Sequence, residues 1–170
     1  MLKAVLLLTG LVFAVALIAP DMLTRTTQIG GPGKAEEPVL AKAQPDHGGL
    51  VRLNADRSGH FQTDAEINNR IVPVLVDTGA TLIALRYEDA RSMGVVTSAD
   101  KFDVRVRTAN GEGRAKRVTL RSVTVGTITV RDVEALVTEQ GTLATNLLGM
   151  SFLKRLARFE VQRGQLVLER

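Results

Sequence analysis

The stretch Val74-Leu75-Val76-Asp77-Thr78-Gly79-Ala80-Thr81 constrains this chain more than any other: an apolar strand that ends in a carboxylate, a hydroxyl and a glycine. An apolar run carries charge at high cost, so a carboxylate at its mouth sits on the border of a low-dielectric interior, where its protonation state can be tuned. That is one way to make an acid-base group from an aspartate. Read locally, the same residues also suit an ordinary turn capped by the aspartate side chain, because Asp, Thr and Gly are good turn formers.

The pattern around this stretch is that of short strands. Phe61, Thr63, Ala65 and Ile67 alternate with Gln62, Asp64, Glu66 and Asn68, the period of a strand with one wet face. Asn68-Asn69 turns the chain into Ile71 to Val76, a continuous apolar run that predicts burial on both faces. Pro73 cannot donate a ladder hydrogen bond and belongs near the strand start or at an edge. Glu88 to Met93 fits one short helix closed by Gly94. Phe102 to Thr108 alternates, Asn110-Gly111 is a strong hairpin turn, and Arg114 to Leu120 returns. The second half repeats the plan of strand, glycine loop and helix. Ile128 and Val130, then Val133, Ala135 and Val137, alternate as strands; Leu147-Leu148-Gly149 then leads into a helix over Met150 to Leu156. A hairpin across Arg163-Gly164 leaves Gln165 to Glu169 as a terminal strand.

Residues 1–23 form a separate segment. Ala4 to Pro20 contains no charged side chain, follows Lys3, and has the length of a short membrane span or a long signal core. Pro20 would occupy the first mature position after Ala19, a poor cleavage site, so an uncleaved transmembrane anchor is expected. Residues 24–50 hold three of the five prolines and a cluster of glycines with no apolar period, the composition of a flexible linker. Residues 51–170 form the folded domain.

Several function classes are poorly supplied. There is no cysteine, which removes disulfide frameworks, thiolate zinc sites and a cysteine nucleophile. The two histidines, His47 and His60, have no metal-ligand spacing, and Gly149-Met150-Ser151-Phe152-Leu153 lacks the closing glycine of a nucleophile elbow. No metal and no cofactor are expected. The net charge of +4 comes from scattered basic residues with 4% aromatics, so a solvated basic face is expected rather than a nucleic-acid platform.

Four pieces in order carry a resemblance: Gly59-His60-Phe61, Asp77-Thr78-Gly79-Ala80, Thr108-Ala109-Asn110-Gly111 and Leu147-Leu148-Gly149-Met150-Ser151-Phe152-Leu153. From about Gly59 to the C-terminus the chain resembles the retropepsin-like aspartic proteases, in particular short membrane-anchored bacterial ones. Asn69 and Thr81 are mild departures from the commoner residues of that pattern. The resemblance implies a mostly β, small barrel-like subunit with one or two short helices. It implies an aspartic endopeptidase in which Asp77 is catalytic and Thr78, Gly79, Ala80 and Thr81 form the active-site loop, the Thr78 hydroxyl bonding across to a second subunit. Thr108, Ala109, Asn110 and Gly111 would form a substrate-binding flap, and Leu147, Leu148 and Gly149 would pack beneath the loop as structural residues. With one Asp-Thr-Gly per chain, the second carboxylate would come from Asp77 of another copy, so a homodimer acting on protein or peptide substrates is expected. The domain would stand on the periplasmic side of a bacterial inner membrane. The alternative is a non-catalytic module of the same fold that binds extended peptides by strand addition or mediates dimerisation.

Overall fold

The computed structural model describes residues 44–46, 49–108 and 111–170. The anchor expected at 1–23 and linker residues 24–43 lie outside the described residues. Among the described residues no helix is long and apolar enough to cross a membrane.

The local signals set most of the strands. β1 (Gln44–Asp46) pairs with β2 (Leu50–Asn54), so strand pairing already begins at Gln44. β3 (Gln62–Ile67) keeps the alternation read from its sequence, with Thr63, Ala65 and Ile67 buried. It turns through Asn68 and Asn69, both at positive φ (49° and 69°), into β4 (Arg70–Val76). Asparagine tolerates this left-handed region better than most residues; the Asn68 Oδ1 also accepts the N–H of Ser122, a residue distant in sequence, at 3.3 Å.

β4 corrects one expectation. It is not buried on both faces: Val72 and Val74 are buried, but Ile71 is 72% exposed and Pro73 also faces solvent. The strand lies in the wall of a barrel whose outer side is uncovered at these positions. Pro73 pairs with Asp64 of β3, while the other neighbour begins only at Val74, so the missing N–H leaves no gap in the ladder on that side.

β5 (Ile83–Leu85) is followed by α1 (Tyr87–Ser92), β6 (Val104–Thr108) and the long β7 (Gly111–Val125). β8 (Ile128–Thr138) is a single strand where two were expected. Its buried positions change phase, from Ile128 and Val130 to Val133, Ala135 and Val137, because Asp132 adopts φ +51° and reverses the pleat without ending the pairing. Arg155 holds that kink from outside, donating to Asp132 O at 3.0 Å. β9 (Asn146–Leu148) leads into α2 (Met150–Leu153), shorter than the helix to Leu156 that the pattern predicts. β10 (Arg158–Gln162) and β11 (Gln165–Glu169) close the chain as a hairpin through Arg163 and Gly164, both at positive φ, as their sequence predicts.

The strands form two sheets. In one, β3-β4-β9-β5-β8-β7 closes on itself through the pairing of Glu66 and Ile67 with Thr124 and Val123, making a six-stranded barrel with β6 appended on the edge of β7. The other runs β1-β2-β11-β10. Phe152, Ile67, Ile83, Leu85, Leu120 and Leu148 are fully buried inside, and Val51, Leu53, Leu166 and Leu168 of the second sheet join the same apolar cluster. The mostly β, small barrel-like fold with two short helices expected from the sequence for residues 51–170 is thus observed.

Candidate active site

Asp77 follows the last residue of β4, and the parallel neighbour β9 fixes where it sits. Val76 pairs with Leu148, and the Asp77 N–H donates to Leu148 O at 3.1 Å. The chain then turns back on itself: the Ala80 N–H donates to Asp77 O at 3.3 Å, and the Gly79 N–H donates to Asp77 Oδ1 at 2.8 Å. The carboxylate is therefore oriented by its own loop. Asp77 and Ala80 are half-buried, whereas Thr78, Gly79 and Thr81 are exposed.

The loop rests on the second glycine segment. The Met150 N–H donates to Ala80 O at 2.8 Å, and Gly149 lies so close that a Cβ there would be 2.2 Å from Leu82 O and 2.7 Å from Ala80 O. Leu148 is fully buried. Leu147 faces the cavity that opens beside Asp77.

That cavity, of about 1020 Å³, brings together Asp77, Gly79, Ala80 and Thr81 from the loop and Val104 to Arg107 from β6. Its wall also includes Thr142 to Thr145 with Leu136 and Thr138. The hairpin expected as a flap is present, with Thr108 paired to Gly111 at φ +112°. Ala109 and Asn110 lie outside the described residues. This hairpin contributes to the cavity through the body of β6, Val104 to Arg107, whereas the sequence reading placed its site residues at the tip. Thr142 to Thr145 were missed as well. The internal repeat was the available signal, because it places the loop before β9 where the Asp77 loop stands before β5.

Two polar side chains were also missed. Asn146 is buried at 1% exposure: its Oδ1 accepts the Arg86 N–H at 2.9 Å, and its Nδ2 donates to Pro73 O at 3.0 Å and to Asp89 Oδ2 at 2.9 Å. One amide thus joins β4, β9 and the start of α1 directly beneath the site. Ser151 Oγ accepts the Ile83 N–H at 2.9 Å and donates to Glu134 O at 2.7 Å, linking α2 to β5 and β8.

Among the described residues, the carboxylates that line the cavity are Asp77 and Glu134, and Glu134 is paired with Arg117 at 3.0 Å. Asp100, in the loop ahead of β6, bonds the Lys116 ammonium of β7. That bond and the Thr97 N–H hold its carboxyl below the ordinary value of 3.8 and tie the loop to the base of the hairpin.

A family model described as "gag-polyprotein putative aspartyl protease" matches residues 63–155. An uncharacterised protein in the cobV 5′ region of Sinorhizobium sp is 42% identical over 137 residues, 81% of this chain and 57% of the relative. An uncharacterised protein of Rickettsia prowazekii (strain Madrid E) is 39% identical over 120 residues, 71% of this chain and 51% of the relative. The chain spans about half the length of these curated relatives. A crystal structure of a retropepsin-like aspartic protease from Rickettsia conorii superposes with a TM-score of 0.64 at 37% identity, covering 71% of this chain and 89% of that one.

Proposed function

The chain belongs to the gag-polyprotein aspartyl protease family, and from that premise we propose that it is an aspartic endopeptidase whose active site pairs Asp77 with Asp77 of a second copy. The observation that carries this reading is the makeup of the cavity: among the described residues its one carboxylate not held in an ion pair is Asp77, on a loop whose tip at Thr78 and Gly79 is exposed. Two carboxylates facing one water divide the work. The ionised one takes a proton as the water oxygen attacks the peptide carbonyl; the protonated one donates to the developing oxyanion. The tetrahedral diol then collapses, the C–N bond breaks, and the leaving nitrogen takes up a proton from the dyad. Gly79 lets two such loops approach without a side chain between them, and the exposed Thr78 hydroxyl would bond across to the second copy, as the resemblance implies.

Dilution tests the two-copy dyad. Specific activity of the purified protein is expected to fall as the enzyme is diluted through its dimer dissociation constant. Mixing with an excess of Asp77→Ala protein is expected to suppress activity beyond simple dilution, because a mixed dimer carries one carboxylate. Activity that tracks the wild-type fraction, with subunit exchange demonstrated by light scattering or fluorescence transfer, would rule the shared dyad out.

The uncharged segment Ala4 to Pro20 supports a single-pass anchor with the protease domain on the periplasmic side of a bacterial inner membrane. The full chain is expected to fractionate with membranes and to retain its first twenty residues. A mature N-terminus beyond Pro20, found by terminal sequencing, would replace the anchor with a removed signal.

A further inference from the structure

The cavity wall contributed by β6 carries charge that the proposed chemistry does not use. Val104 and Val106 are half-buried and Arg105 and Arg107 exposed, and all four line the cavity. Arg105 also borders a second, polar cavity of about 450 Å³ with Glu112, Gly113, Arg114 and Glu139, so it stands on the rim between the two. Among the described residues neither Arg105 nor Arg107 makes an ion pair, whereas Arg117 is held by Glu134 and Lys116 by Asp100. In the hairpin register Arg105 lies opposite Arg114, while Arg107 lies opposite Glu112, so the like-charge pair is at Arg105. Like charges facing one another across an antiparallel pair destabilise it, and an anion entering between them removes that repulsion. Guanidinium groups fit carboxylates closely, because their planar fork matches the two oxygens. The rest of the cavity, with Leu75, Leu82, Leu136 and Leu143, suits apolar side chains.

We infer that Arg105 and Arg107 set substrate specificity, selecting extended peptides that carry an aspartate or glutamate side chain beside the apolar residues that fill the cavity. This rests on the peptide-hydrolysis reading above and adds the substrate class. β6 is also the open edge of its sheet, where charge discourages association with foreign strands. That role needs charge somewhere on the edge; it does not need two unpaired arginines on the wall of the cavity.

The test uses peptides sharing one apolar pair, with glutamate, glutamine or lysine placed in turn at each flanking position. At the responsive position kcat/KM is expected to fall from glutamate to glutamine to lysine by about three- to tenfold per step, with the steps shrinking in high salt. In the Arg105→Gln/Arg107→Gln protein the glutamate-to-lysine ratio is expected to approach one, and in Arg105→Glu/Arg107→Glu it is expected to invert. Binding of the same peptides to Asp77→Asn protein reads the preference independently of turnover. If all three peptides are cleaved equally at every position, the inference is overturned and the protease reading stands. If none is cleaved, the protease reading fails, and equal binding of the three to Asp77→Asn overturns the inference too. Greater self-association of the double glutamine variant with an unaltered ratio would assign the arginines to edge protection and overturn the specificity role.

Discussion

Asp77→Asn protein is expected to turn over any cleaved peptide roughly 10²- to 10⁴-fold more slowly than wild type, while melting at nearly the same temperature. The substitution is close to isosteric, and the remaining side-chain oxygen can still accept the Gly79 N–H that Asp77 Oδ1 takes at 2.8 Å. What is lost is the ionisable pair. An amide cannot take the proton of the attacking water, and loss of a positioned general acid-base group costs about that factor. In the proposed homodimer both copies carry the change, so no wild-type carboxylate remains to compensate. Steady-state kinetics beside a thermal melt would check both halves. Retention of more than about a tenth of the activity, far above what such a loss permits, would place the base elsewhere, with Glu134 the other carboxylate on the cavity wall to examine.

Gly149→Ala is expected to have the largest effect on stability. The added Cβ would meet Leu82 O at 2.2 Å, Leu82 C at 2.6 Å and Ala80 O at 2.7 Å, all of them backbone atoms of the segment that follows Asp77. Overpacking typically costs about 1–3 kcal/mol where side chains can move aside. Here none can, so the upper end of that range or more is expected, together with loss of activity as the Asp77 loop is pushed away. Gly79→Ala is the informative contrast. Its Cβ would lie 3.1 Å from Asp77 Oδ1, a side-chain atom that can rotate away, so folding should survive while the carboxylate loses its orientation. Chemical denaturation of the two proteins separates these cases, and a Gly149→Ala protein as stable as wild type would contradict the close approach of the two loops.

The parts of the molecule legible in the sequence are those fixed by neighbours along the chain. β3 alternates because its faces differ, and Asn68-Asn69 and Arg163-Gly164 turn at positive φ, which asparagine and glycine tolerate. The Asp77 loop was readable for the same reason: strand, carboxylate and glycine are contiguous. Ile71 was misjudged because its apolarity says nothing about whether another layer covers it, and in the barrel none does at that position. The kink at Asp132 was taken as a break between strands because a change of phase looks the same in sequence whether the pairing stops or continues. The far wall of the cavity was legible only through the internal repeat, since Thr142 to Thr145 share the cavity with Asp77 because β9 runs parallel to β4 across some seventy residues of chain. Asn146, a polar residue ahead of two leucines, reads as the end of a loop until its three partners are seen.

The pairing of β2 with β11 fixes a point in the life of the molecule rather than in its shape. β2 is registered against β11 from Leu50 opposite Glu169 to Asn54 opposite Gln165, and Gln165 Nε2 donates to Asn54 Oδ1 at 2.8 Å across 111 residues. A chain is synthesised from its N-terminus, so β2 is made before the whole barrel and cannot meet this partner until β11 exists. Closing so long a loop costs entropy before any contact repays it, whereas the β3–β4, β7–β8 and β10–β11 hairpins close locally. Val51 and Leu53 therefore wait for Leu166 and Leu168, and one edge of β2 stays open on every growing chain until its last strand has been made.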